Sequence, residues 1–482
     1  MTDTIADSAQ PTHSSSFASW RAVVITSVAA ILTGFAAYYF VLAEGWGDTL
    51  VKCLQGDHPI FGLQVTGAWT WILPAIFIAI SMMLIVVVQR KFFPGTEGTG
   101  IPQAIAALKI GDRPERALML SVRIAIGKTL LLTVALLSGI TVGREGPSVH
   151  VGACFMHLCT KVTRLPPFLV QRGLILAGSA AGIAAAFNTP IAGVVFCFEE
   201  VGRMFDRKSV ACIIRTVALA CGVVVVFKGD YMFYTSANHG AQLPLGFPEQ
   251  GGFPQFLQDL RQWIAVPLAG IIGGFLGGWF GKGVVVTSKF TGPRLVKHPW
   301  ITGAALGIAL ALIAIASFGE SYGGGYDQAK AMLVSASPEG SGVPTVSWYY
   351  PIAKASASFV SLVSGIPGGL FDPSLAVGAS LGQVTYPLFN NDFIAPGIGL
   401  PEMMMLFMAA YFAGVVQSPI TVFVIMFEMT GAYGMILPLM FASMIGAMMA
   451  NRICEPSIYE ALAYQFLDAK GIRKLAPEET DE

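Results

Sequence analysis

Three short segments of this chain share one design. Gly98-Thr-Gly-Ile-Pro102, Gly143-Arg-Glu-Gly-Pro147 and Gly368-Gly-Leu-Phe-Asp-Pro373 each run from a glycine-rich turn into an apolar stretch whose first turn carries proline. Proline is tolerated at a helix start, and glycine lets the preceding backbone approach a ligand closely. The unsatisfied amides of such a start carry a partial positive charge and attract anions. Because that charge is partial, a small anion is held firmly enough to enter and weakly enough to leave.

Glu145 sits inside one of these segments, beside Arg144 and Gly146. Two readings fit its residue type: a surface carboxylate capping a helix start, or an ionisable group at work inside an apolar domain. Glu199 and Glu200 end a second apolar stretch from Ile191. They mark a membrane boundary or handle protons, and residue type alone leaves the two readings even. Lys128 and Arg144 either raise the local potential for anions or form buried ion pairs. His150 and His157 share a helix face without a third ligand nearby, so both are assigned to structure and no metal or other cofactor is expected.

The elements that carry these residues must be membrane helices. Of the 482 residues 54% are hydrophobic and 12% charged, half the charged share of an ordinary soluble domain, which is about 25%. Long apolar runs recur at Ala22 to Leu42, Trp69 to Val88, Leu130 to Val142, Val210 to Phe227, Ile264 to Phe280, Ile301 to Ala316 and Met435 to Ala450. Several approach the roughly 20 residues that span hydrocarbon. Shorter runs broken by Gly or Pro, Val149 to Cys159, Leu375 to Leu388 and Met403 to Val416, predict partial crossings that line protein interior. Basic and acidic residues balance at 29 each, which gives no sign of a nucleic-acid partner. The seven cysteines are scattered, mostly in apolar runs, and read as small hydrophobes. Walker, zinc-helix and nucleophile-elbow patterns are missing from the sequence, so ATP-driven pumping and hydrolysis have no support.

The chain repeats itself. Ser138 to Ala153 laid over Ser364 to Ala379 gives nine identities in sixteen positions at an offset of 226. Gly98 to Ala104 falls on Gly323 to Ala329 and Lys128 on Lys354; downstream, Thr189-Pro-Ile191 falls on Ser418-Pro-Ile420 and Phe198-Glu199-Glu200 on Phe427-Glu428-Met429. The expected organisation is a polar tail over 1–20, a first repeat over 21–230, a second over 231–460 and a short polar tail over 461–482. The fold class is all-α and polytopic, with broken helices and two repeated halves, for which an inverted arrangement is expected in transporters. Glu199 has a counterpart in Glu428 and is assigned to architecture through hydrogen bonds to backbone. Glu200 faces Met429 and is free for another role. The first 20 residues lack a basic cluster, so no cleavable signal is expected.

GTGIP, GREGP and GLFDP, followed near the end by Pro456-Ser-Ile-Tyr459, resemble the CLC family of chloride channels and chloride/proton antiporters over nearly the whole chain. The resemblance implies that the hydroxyls of Thr99 and Tyr459 and the amides of Leu370 and Phe371 hold the central anion, with Gly98 and Gly100 shaping the turn. It implies that Glu145 is the outer gate and proton acceptor and that Glu200 matches the inner proton-transfer position. It also implies a homodimer with one pathway per subunit, in a bacterial inner membrane since few residues follow Tyr459. Thr99 replaces the family's usual serine, and Gln103 and Ile105 stand where many members carry carboxylates. The function expected is exchange of chloride, or a similar monovalent anion, for protons across the bilayer. The alternatives are a passive proton-gated anion channel and, from another class, an intramembrane enzyme with Glu145 or Glu200 as general base.

Overall fold

A computed structural model describes residues 13–59, 64–110, 114–163, 168–203, 207–229, 260–336, 345–391 and 397–472, with the single positions 234, 243, 394 and 395. Most of the polar N-terminal tail and the end of the C-terminal one, residues 1–12 and 473–482, lie outside the described residues.

Six of the seven long apolar runs lie within helices long and apolar enough to cross a bilayer, and the seventh, Leu130 to Val142, runs five residues past the end of its helix at Leu137; the helices are Trp20–Gln55, Trp69–Phe92, Pro114–Leu137, Ser209–Lys228, Leu260–Lys297, Pro299–Ala316 and Tyr433–Asn451. Their outward residues remain apolar and exposed, as lipid requires; Ile301, Ile308 and Leu312 line such a face. Trp20, Trp69 and Trp300 stand exposed at the starts of three spans, where an amphipathic ring suits the headgroup level.

In chain order the first half comprises α1 (His13–Gln55), α2 (Trp69–Phe92), α3 (Ile101–Lys109), α4 (Val122–Leu137), α5 (Glu145–Thr163), α6 (Phe168–Phe187), α7 (Pro190–Phe196) and α8 (Arg207–Lys228). The second comprises α9 (Ala265–Lys297), α10 (Pro299–Ala316), α11 (Tyr326–Ala336), α12 (Tyr350–Val363), α13 (Phe371–Phe389), α14 (Leu400–Val416), α15 (Pro419–Thr430), α16 (Ile436–Asn451) and α17 (Ile458–Lys470). The predicted partial crossings lie in α5, α13 and α14. They are largely enclosed, with Met403–Val416 buried throughout and Phe371–Ser380 likewise.

Matched residues of the two halves make matched hydrogen bonds. The Lys128 ammonium donates to the carbonyls of Thr96, Glu97 and Gly98 at 2.9, 3.4 and 2.6 Å. Lys354 donates to those of Ser321, Tyr322 and Gly323 at 3.2, 2.9 and 2.9 Å. Each lysine therefore gathers three successive carbonyls of a turn outside the helices. The Gly98 amide donates to Gly365, and the Gly323 amide to Gly139, both at 2.9 Å.

The same reciprocity joins α7 and α15. Glu199 accepts from the amides of Ile420 and Thr421, at 3.0 and 2.6 Å, and Glu428 accepts from those of Ile191 and Ala192, at 3.0 and 2.7 Å. Each carboxylate caps the first turn of the other half's helix, satisfying amides that have no intrahelical partner. The expectation that Glu199 bonds to backbone matches this geometry. Between α7 and α8 the chain winds as a π turn over Cys197–Gly202.

Helix α17 is tied to the first half by a polar cluster outside the spans. Glu460 accepts from Lys109 at 2.7 Å, from Arg203 and from Tyr464. Burial would raise this carboxyl, but the hydrogen bonds from Lys109 and Tyr464 and the charge of Arg203 outweigh it and hold it at about 2.

Two outcomes follow. Glu199→Gln removes half of a two-pronged cap, and the loss of a charge-assisted bond of about 2 kcal/mol lowers the midpoint of thermal unfolding in detergent by several degrees; an unchanged midpoint contradicts the capping role. For Glu460 the folded value lies below the ordinary 4.5, so its stabilisation is complete above that value and fades as pH falls toward 2. The destabilisation caused by Glu460→Gln therefore narrows as unfolding is measured from about pH 5 down to about pH 3, and a gap constant over that range contradicts it.

Candidate functional site

The glycine-rich turns before α5 and α13 meet at the centre of the molecule. Gly143 and Gly369 exchange both backbone hydrogen bonds, Gly143 to Gly369 at 2.8 Å and Gly369 to Gly143 at 2.5 Å, as an isolated antiparallel pair. A side chain at either position would meet the Glu145 carboxyl. A Cβ on Gly143 would stand 2.3 Å from the Glu145 carboxyl oxygen Oε2, and one on Gly369 would stand 2.5 Å from the same oxygen. The gap that a side chain would fill is where the carboxyl of Glu145 lies.

Glu145 opens α5 and is fully buried, as is Tyr459; Thr99, Arg144, Phe371 and Glu200 are exposed by 2% or less. Thr99 precedes α3 and packs against the start of α5, where a Cβ on Gly146 would stand 2.9 Å from the Thr99 Cβ. Gly98 and Gly100 flank Thr99 in left-handed conformations, φ 58° and 95°. Leu370 caps α13 and Phe371 opens it. The Phe371 ring is fixed by Phe412, Phe187, Phe196 and Tyr459, with centroids 4.6, 5.9, 6.2 and 6.3 Å away.

The hydroxyls of Thr99 and Tyr459 are buried and accept or donate no hydrogen bond among the described residues. Buried hydroxyls are rarely left so. The two positions named by resemblance as anion ligands are thus two polar groups with a bond still to make. The Tyr459 ring packs on Phe371, centroid to centroid 6.3 Å, at the start of α13.

Glu200 issues from the π turn. One of its oxygens accepts from the Ser418 hydroxyl, at the start of α15, and the other has no partner among the described residues. The wider winding places Glu199 on α15's amides and leaves Glu200 facing inward, a division that an apolar run ending in two acids does not reveal.

The basic residues take structural partners. Lys128 is bound by the turn before α3, as described above, and Arg144 forms a buried ion pair with Glu44 of α1. Both remain next to the site, but neither presents an unpaired charge to it. Gln103 donates to the Glu97 carbonyl at 2.6 Å, which assigns the residue that replaces a family carboxylate to the same turn. His150 meets the Met119 carbonyl at 2.8 Å.

One residue at the centre was missed by residue-type reasoning. Asp372, the second residue of α13, is fully buried, and neither of its carboxyl oxygens has a hydrogen bond among the described residues. The signal was available: the repeat sets Asp372 on Gly146, so an acid stands in an otherwise apolar stretch.

The sequence profile of the family described as "Voltage gated chloride channel" matches residues 79–451. The H(+)/Cl(-) exchange transporter ClcA of Vibrio vulnificus strain YJ016 is 28% identical over 461 residues, 93% of this chain and 91% of that protein. That of Cronobacter sakazakii is 27% identical over 451 residues, 91% and 88% of the two chains. Among solved structures, a slow cyanobacterial Cl-/H+ antiporter superposes with a TM-score of 0.75 at 22% identity, covering 94% of this chain and 99% of that one. A CLC-type fluoride/proton antiporter superposes with a TM-score of 0.69 at 19% identity, covering 94% and 99%. With the profile covering most of its length and the broken helix starts meeting around two unbonded hydroxyls, the chain belongs to the CLC family of chloride channels and transporters.

Proposed function

We propose that this protein exchanges chloride, or a similar monovalent anion, for protons. The observation that carries the reading is that the chain buries two carboxyls, Glu145 and Glu200, with no salt bridge among the described residues, together with the unbonded hydroxyls of Thr99 and Tyr459. Thr99 and Tyr459 donate their hydroxyl hydrogens to the anion, and the amides of Leu370 and Phe371 face it from the start of α13. A donor set without full charge holds the ion loosely enough to release it.

Glu145 serves as outer gate and proton acceptor. Ionised, its carboxylate occupies the place of an anion against the Gly143 and Gly369 backbone; protonated, it has no charge to hold it there and leaves the path open. Glu200 takes the proton on the inner side, and Ser418 orients it. A passive channel needs only the first of these acids, so the second favours exchange. The exchange reading also agrees with the activity named for the Vibrio and Cronobacter relatives, and it is transport, with no bond of a substrate made or broken.

The halves are read as inverted repeats. Each of α7 and α15 is capped at its start by a carboxylate from the far end of the other, so these equivalent helices run antiparallel. The reading includes a homodimer with a pathway in each subunit, in a bacterial inner membrane; cross-linking in native membranes that yields only monomer would remove the dimer from it.

In liposomes an imposed chloride gradient drives protons uphill, and Glu200→Gln abolishes proton movement while chloride movement persists. Proton flux that survives this change removes Glu200 from the pathway, and chloride flux without any proton coupling in the unaltered protein leaves the passive channel. Tyr459→Phe deletes one hydrogen bond to the anion and weakens chloride binding roughly tenfold in calorimetric titration; unchanged affinity excludes the hydroxyl as a ligand.

A further inference from the structure

The hydroxyl of Tyr459 has no hydrogen bond among the described residues, so the side chain takes its place from the helix that carries it. Thr99 is alike: its hydroxyl is unbonded among the described residues, and it stands immediately before Gly100, the N-cap of α3. The separation of the two hydroxyls, and with it their fit to an ion, is therefore set by how α17 sits on α3. Helix α3 is nine residues long, about 13 Å at 1.5 Å per residue. An intact helix of that length moves as one body, so a shift at its last residue, Lys109, is felt at Thr99.

The two helices are joined around one carboxylate. Glu460 directly follows Tyr459 and is 8% exposed. Its Oε1 accepts from Lys109 at 2.7 Å and from the Tyr464 hydroxyl, one turn further along α17. Its Oε2 accepts from Arg203. The Lys109 ammonium also donates to the Tyr464 hydroxyl at 2.8 Å and lies 4.7 Å from the centre of that ring. The other terminal nitrogen of Arg203 donates to the Ser457 hydroxyl at 2.9 Å. Arg203 therefore grips the chain two residues before Tyr459 and one residue after it.

Arg203 itself directly follows the π turn that carries Glu200, and its φ is 48°. A residue with a side chain rarely adopts that left-handed conformation. Such strain persists where the surroundings hold it, and here the bonds to Ser457 and Glu460 do so. Three elements thus meet on one carboxylate: α3 behind Thr99, the π turn behind Glu200, and α17 with Tyr459. Resting on the reading of Thr99 and Tyr459 as anion ligands, we propose that Glu460 is a positioning residue of the anion site: by joining Lys109 to Arg203 it fixes the Tyr459 hydroxyl relative to that of Thr99. Its loss loosens the pair of donors without removing either.

Calorimetric titration with chloride tests this. Glu460→Gln keeps the length of the side chain and removes its charge, and chloride affinity is expected to fall about fivefold. In a Tyr459→Phe background the hydroxyl to be positioned is gone, and the same change is expected to cost less than about twofold, because groups that act through one another are not additive. Equal losses in the two backgrounds, or no loss in the first, overturn the positioning role. If Tyr459→Phe alone leaves affinity unchanged, the ligand reading fails and the inference falls with it. Glu428→Gln removes a backbone cap from α7 and controls for a general loss of stability: its affinity is expected to match that of the unaltered protein, and a loss as large as that of Glu460→Gln overturns the proposal. Lys109→Gln breaks the same joint from α3, at a side chain 30% exposed, so the test does not depend on the folding of the Glu460 variant. Its expected pattern is the same, and a loss fully additive with that of Tyr459→Phe overturns the role.

Discussion

The two hydrogen bonds between Gly143 and Gly369 are the constraint around which the molecule is organised. A membrane interior offers no water to an interrupted backbone, and yet an anion pathway needs interrupted helices so that amides can face the ion. Here the break in one half satisfies the break in the other. Both residues lack side chains, and the space above the pair holds the Glu145 carboxyl. A single pairing thus joins the halves, orients α5 and α13, and makes room for Glu145.

Away from that pairing, polar side chains take over the task. Lys128 and Lys354 bind three carbonyls each, Glu199 and Glu428 bind two amides each, and Gln103 binds one carbonyl. Charged groups deep in a membrane protein invite a functional reading, but four of these five residues come in matched pairs that serve the backbone of both halves. What distinguishes Glu145, Glu200 and Asp372 is that their counterparts in the other half are Phe371, Met429 and Gly146. The symmetric polar residues maintain the fold, and the asymmetric ones are free to handle ions.

Much of this was legible in the chain itself. The seven spans are set by hydrophobic length, and the broken helices by glycine and proline, so both can be read from composition and spacing alone. The repeat separated Glu199 from Glu200 before any coordinates, because a shared acid suits a shared cap. Three features were not legible. Arg144 has no local partner in sequence, and Glu44 reaches it from 100 residues away. Asp372 was passed over because helix starts commonly carry an acid, and only its complete burial without a hydrogen-bond partner among the described residues gives it another meaning. The π turn at Cys197–Gly202 has no periodic signature, since one extra residue in one turn leaves the apolar pattern intact.

That turn has a bearing on how such proteins diverge. A π turn differs from an α turn by one residue, and in an α-helix one residue is a rotation of about 100°. Loss of a single residue between Cys197 and Gly202 would restore regular winding and swing Glu200 away from Ser418, while the glycine pair, the lysine clamps and the anion's hydroxyls lie elsewhere and stay in place. If Glu200 handles the proton as proposed, a change one codon long would part the proton from the anion and leave the scaffold behind it unaltered.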